Sequence, residues 1–97
     1  MSEVEILDNE FLRQYEAKVN GELAKIEYST QERKVFLTKV VIPESIETPE
    51  FQEELITAVL RHIETTNLRV VPTSPKVASF LRKHKEFKDL LPVGVRI

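Results

Sequence analysis

The 97-residue chain contains no cysteine, so neither a disulfide framework nor thiolate chemistry is available to it. Its only histidines are His62 and His84, too few for a histidine-rich zinc centre without cysteine, and no metal site is expected. No apolar run approaches the roughly 18 residues of a membrane-spanning helix. The N-terminal MSEVEILDNE is acidic, where a secretory leader would be basic and then apolar. Sixteen acidic against fourteen basic residues leave a net charge of −2, which gives no reason to expect nucleic acid or an anionic membrane as partner. The expectation is a cytoplasmic chain forming one domain, residues 1–97, around one core.

What is present is strong periodicity. Residues 14–19 alternate, with Tyr15, Ala17 and Val19 on one side and Glu16 and Lys18 on the other, the period of a half-buried strand. Asn20-Gly21 follows, a pair that tolerates the positive φ values of a tight hairpin turn. Residues 23–28 alternate again, and a polar turn over residues 29–32 is predicted to lead into a third strand, residues 35–42. Because Val35, Phe36, Leu37, Val40, Val41 and Ile42 are all apolar, that strand is expected to be central and covered on both faces.

A helix should begin at Thr48, a good N-cap, with Pro49 at its first position and acids at its positive end. Phe51, Leu55, Ile56, Val59, Leu60 and Ile63 share one face at helical spacing, and the helix should end near Thr66-Asn67. Residues 68–71 form a short strand, and a strand–helix–strand unit of this length implies a parallel right-handed crossover. Ser74 is positioned to cap a second helix whose face carries Val77, Phe80, Leu81 and His84, and Phe87, Leu90 and Leu91 should fold back onto the core. The fold class is α+β, in the order β-β-β-α-β-α: an antiparallel meander, then a parallel crossover strand in a mixed sheet.

The run LRVVPTSPKVASFLRKHKEFKDLL resembles the C-terminal signature of a small stand-alone subgroup of the GNAT acetyltransferase superfamily. That subgroup carries Val-Val-Pro-x-Cys-Pro, a helix, and His-Pro-Glu-Tyr-x-Asp-Leu. Val70, Val71, Pro72, Pro75, His84, Glu86, Phe87, Asp89 and Leu90 fall on the signature without a gap. Asn9, Arg13, Tyr15, Glu16, Gly21, Ala24, Glu27 and Tyr28 are similar to its opening hairpin, and Leu37-Thr38 and Pro43-Glu44-Ser45 to its third strand and exit. The resemblance implies a GNAT-like mixed sheet and acetyl-CoA-dependent acyl transfer. The edge of the third strand (Val40, Val41 and Ile42) would bond the pantetheine arm, and a glycine-rich loop would cradle the pyrophosphate at the start of the long helix.

The residues depart from that pattern at its functional positions. Glu47 stands where the family has a leading Arg, and Thr48, Glu50 and Gln52 occupy the three glycine positions, with Pro49 among them. Pro49 removes an amide donor, the added side chains obstruct close backbone approach, and Glu47, Glu50, Glu53 and Glu54 gather negative charge where phosphates would sit. Ser74 replaces the family's Cys and is the candidate nucleophile, with Lys76, Lys83 and His84 as neighbouring candidate bases; capping the second helix is its simpler role. Lys39 replaces a family His that could act as base, with a solvated strand residue as the alternative. His62 reads as a boundary residue of the long helix, and Asp89 as a cap or pair in the tail.

Two functions therefore stand open. The first is a GNAT-type acetyltransferase using acetyl-CoA. The second is a non-catalytic descendant of that fold, kept as a binding or interaction module. A homo-oligomer is a further expectation, through an exposed strand edge or the tail PVGVRI, whose Val93, Val95 and Ile97 alternate like a strand.

Overall fold

The computed structural model describes residues 4–92. Its sheet has five strands in sequential spatial order: β1 (Leu7–Asn9), β2 (Gln14–Val19), β3 (Glu22–Gln31), β4 (Lys34–Val41) and β5 (Arg69–Pro72). The first four are antiparallel and β5 joins β4 in parallel through the crossover helix α1 (Pro49–Glu64). Helix α2 (Pro75–Lys83) and a 3-10 turn (Lys85–Leu90) complete the described chain. The α+β class, the meander and the parallel crossover are as the alternation and helical spacing predict.

The structure adds β1, a three-residue edge strand pairing Leu7 with Glu16 and Asn9 with Gln14. Three residues are too few to show a period, and pairing with β2 is what makes them a strand. The β3–β4 connection also differs. Glu32 and Arg33, at φ 51° and 65°, form a two-residue turn, so both strands run further than the polar composition of residues 29–32 suggests. The Asn20-Gly21 turn has φ 52° and 79°, as its composition predicts.

Alternate residues of the sheet meet the helices in one core. Tyr15 and Ala17 of β2, Ala24, Ile26 and Tyr28 of β3, Val35 and Leu37 of β4 and Val70 of β5 are buried against Leu55, Ile56, Val59, Leu60 and Ile63 of α1 and Val77, Phe80 and Leu81 of α2. Burying each large aliphatic side chain contributes about 1.5–3 kcal/mol, which sets the register because a one-residue slip would turn each strand's set outward. Phe87 and Leu90 are buried in the same core, and Leu91 packs against it, so the tail does fold back as far as it is described. Val93, Val95 and Ile97 lie outside the described residues.

The opposite face of the sheet is polar and open. Lys18 and Ser29 are exposed there, and Lys25 pairs with Glu27 at 3.2 Å. On β4, Thr38 and Lys39 are exposed and Phe36 and Val41 only half-buried, so the expectation that this strand is covered on both faces is corrected. Its apolar run is central within the sheet but faces the helices on one side only. Among the described residues, no helix is long and apolar enough to cross a membrane.

Candidate functional site

The site lies where β4 and β5 part. Their parallel register runs from Lys34–Arg69 to Leu37–Pro72 and stops. Pro72 has no N–H to extend a ladder. The chain turns there, so that the Ser74 N–H (2.8 Å) and the Thr73 hydroxyl (2.9 Å) both donate to the Leu37 carbonyl. Beyond Leu37, β4 pairs only with β3, through Glu27–Lys39, Ile26–Val40 and Lys25–Val41, past an irregularity between Glu27 and Tyr28. The Thr38 hydroxyl donates to the Glu27 carbonyl at that irregularity, 3.1 Å away. The β5-facing edge of residues 38–41 is therefore left without a strand partner.

Val40 and Ile42 are half-buried and pack against the core, whereas Val41 is half-buried on the open face. Lys39 is exposed on that same open face, opposite Glu27. After β4 the chain makes a short 3-10 turn, Glu44–Ile46, and enters α1.

The start of α1 is fully accounted for. Thr48 is the N-cap, and its hydroxyl accepts from the Phe51 N–H at 3.0 Å, as its composition predicts. Gln52 N–H donates to the Thr48 carbonyl at 2.9 Å, beginning the helical ladder. Pro49 has no N–H. Of the first-turn amides only that of Glu50 is left, and Glu50's own carboxylate is exposed beside it.

Helix α2 closes the other side. Lys76 Nζ lies 3.7 Å from the Glu47 carboxylate, tying the segment before α1 to the first turn of α2. His84 Nε2 lies 3.9 Å from Glu53, and its ring stacks on Phe80 with centroids 4.1 Å apart. The acidic cluster read from the sequence is thus partly matched: Glu47 has the cationic Lys76 of α2 beside it and Glu53 lies near the His84 ring, while Glu50 is exposed and Glu54 half-buried.

Ser74 sits at the N-cap of α2 and is buried, 3% exposed. The side-chain cap expected of it is not formed. The hydroxyl accepts no helix amide, and the carbonyl receives the Ala78 N–H at 3.0 Å. The backbone of Ser74 is also anchored to β4 through its N–H, which donates to the Leu37 carbonyl. Of the three candidate bases, Lys76 and His84 are directed at glutamates, and Lys83 is exposed at the helix end. No base–hydroxyl pair at Ser74 is formed among the described residues.

Away from this cleft, Asp89 contributes only its carbonyl, which accepts from the Arg69 guanidinium. His62 is half-buried with its ring edge-on to Tyr15, centroids 5.6 Å apart. Among the described residues no group of three or more acids or histidines is placed to hold a metal ion.

Sequence reasoning missed a second polar cluster. The Tyr15 and Tyr28 rings pack tilted against each other with centroids 4.5 Å apart, and the Tyr28 hydroxyl donates to Asp8 at 2.5 Å. Burial first, then the charges of Asp8 and Glu10, pushes the Tyr15 phenol well above its ordinary value; burial and the Asp8 bond do the same for Tyr28. The Glu16 carboxylate is held below its ordinary value by hydrogen bonds from Gln14 (2.5 Å) and Asn9 (2.9 Å).

The model of a protein family described as GCN5-related N-acetyl-transferase matches residues 14–90, from the first residue of β2 to the last of the C-terminal 3-10 turn. That span includes every residue of the cleft. No curated protein matches the chain.

Proposed function

The chain belongs to the GCN5-related N-acetyl-transferase family, and from that premise we propose that it is a non-catalytic member, a binding module built on the acyltransferase fold that no longer holds acetyl-CoA. The observation that carries this reading is the donor accounting at α1. A helix start binds phosphate through free first-turn amides and its positive end. Here Pro49 supplies no amide and Phe51 spends its own on Thr48, which leaves the amide of Glu50 beside a carboxylate.

Electrostatics points the same way. A carboxylate about 7 Å from a phosphate charge costs roughly 2 kcal/mol at an effective dielectric near 20. Lys76 offsets part of this at Glu47, but Glu50 has no basic partner among the described residues. At about 1.4 kcal/mol per tenfold, one unmatched carboxylate lowers affinity by more than an order of magnitude before the lost amides are counted. The chemistry at Ser74 is consistent with this, since a hydroxyl without an adjacent base is a weak nucleophile.

Isothermal titration tests the proposal. The wild-type chain should give no saturable heat with acetyl-CoA at millimolar concentration. The triple variant Glu47→Arg, Pro49→Gly, Glu50→Gly, which restores cation, amide and access, should regain binding. Tight binding by the wild type, or acetyl transfer to an amine, refutes it.

One observation favours the other reading, an acetyl-CoA-dependent acetyltransferase. The edge of β4 over residues 38–41 has no strand partner and offers main-chain groups to an extended pantetheine arm. On that reading Val40, Val41 and Ile42 bind the arm, and affinity survives removal of the diphosphate. Acetyl-pantetheine and acetyl-CoA would then bind equally well.

A further inference from the structure

Towards the N-terminal end of β4, where Thr30 pairs with Val35, lies a separate, half-open cavity of about 270 Å³. It is lined by Asp8, Glu10, Arg13, Tyr15, Tyr28, Thr30 and Leu68, contributed by β1, the β1–β2 turn, β2, β3 and the loop before β5. We propose that this cavity binds a small α-amino acid, its carboxylate on the Arg13 guanidinium, its ammonium between Asp8 and Glu10, and the Tyr15 hydroxyl as an added hydrogen-bond partner.

Four observations lead here. Tyr15 is 2% exposed, yet its hydroxyl has no hydrogen-bond partner among the described residues. No fully buried side-chain polar atom is left unsatisfied, so this hydroxyl opens on the cavity that Tyr15 lines. Arg13 and Glu10 form no ion pair among the described residues, although both line the same small space. Asp8 is fixed by the Tyr28 hydroxyl on Oδ1, which leaves its other oxygen to accept.

The charge pattern selects the ligand. A simple anion would find Arg13 but also meet two carboxylates, and a simple cation would leave Arg13 unmatched. A molecule bearing both charged groups on one carbon satisfies both sets. The size agrees, because the cavity falls just below the roughly 300–1,000 Å³ of drug-sized pockets. The tilted Tyr15–Tyr28 ring pair supplies an apolar wall for a short side chain. The site does not rest on the fate of the cofactor cleft, from which it is separated along β4.

The chain contains two tyrosines and no tryptophan, and both tyrosines line the cavity, so intrinsic fluorescence reports on this place alone. Titrating the full chain with glycine or L-alanine should change that fluorescence saturably in the millimolar range. Acetate and methylamine, which carry one charge each, should produce no saturable change at the same concentrations. Arg13→Asn, whose residue tolerates the left-handed backbone at φ 57°, should weaken binding by about tenfold or more. Tyr15→Phe keeps the ring and should weaken binding several-fold without lowering Tm. The proposal fails if neither amino acid gives a saturable change, if acetate or methylamine binds as well, or if a folded Arg13→Asn protein binds like the wild type.

Discussion

Raising the pH should destabilise this fold through its tyrosine pair. Both phenols have folded pKa values above their ordinary value, chiefly because the ionised form would be buried, with Asp8 adding to both. The unfolded chain ionises them near the ordinary value of about 10. A group raised in the folded state contributes its full stability below the unfolded value and loses it as pH rises towards the folded one. Loss therefore begins above about pH 10. One unit higher, near pH 11, each tyrosine removes at most about 1.4 kcal/mol. Solvent reaching the hydroxyls through the cavity reduces this by about half, so the pair removes roughly 1.5 kcal/mol of a total stability of about 5–15 kcal/mol for a domain of this kind. Urea unfolding of the wild type and of the Tyr15→Phe, Tyr28→Phe double variant, at neutral pH and near pH 11, isolates the term from lysine titration common to both proteins. Tyrosinate absorbance of the native wild type should stay low until the chain unfolds. A native titration midpoint at the ordinary phenol value, or equal alkaline losses in both proteins, refutes the reasoning.

At the β3–β4 turn, Glu32→Asn with Arg33→Gly should stabilise the fold by about 1 kcal/mol, because these residues tolerate left-handed φ better than those present; calorimetry should show Tm higher by about 4–8 °C. Thr48→Ala removes the oxygen that accepts the Phe51 amide and should cost about 1 kcal/mol in denaturant unfolding. The Glu16 carboxylate is depressed by Gln14 and then Asn9, so its stabilisation is present above the ordinary value of about 4.3 and lost as pH falls through its lower folded value. Glu16→Gln should flatten the acid limb of the stability profile. Thr73→Val deletes one of the two donors to the Leu37 carbonyl and should cost about 1 kcal/mol in the same denaturant assay, with faster amide exchange at Ser74.

The cleft was legible in part. Thr48 and Pro49 announce a helix start at any level of reading, because capping is a contact between residues three positions apart, and the Phe51–Thr48 bond forms as composition implies. Ser74 was harder. Its place before Pro75 marks a helix start, but its burial and its main-chain bond to the Leu37 carbonyl, a strand away, have no local signal. Glu47 and Lys76 each look like a solvated charge in sequence, and only the return of β5 beside β4 brings them to 3.7 Å.

The sequence by itself determined the period of each long element and hence the face it buries. Tyr15, Ala17, Ala24 and Ile26 alternate, and Leu55, Val59 and Ile63 recur at helical spacing, because local geometry fixes which side chains lie together. Tertiary structure alone decided what has no local signal. Leu7–Asn9 became a strand by pairing with β2, one face of β4 stayed open because both helices pack in one core on the other, and a polar cavity formed from segments far apart in the chain. Periodicity is a property of neighbours, whereas clefts, ion pairs and cavities belong to surfaces that meet only after the chain has closed.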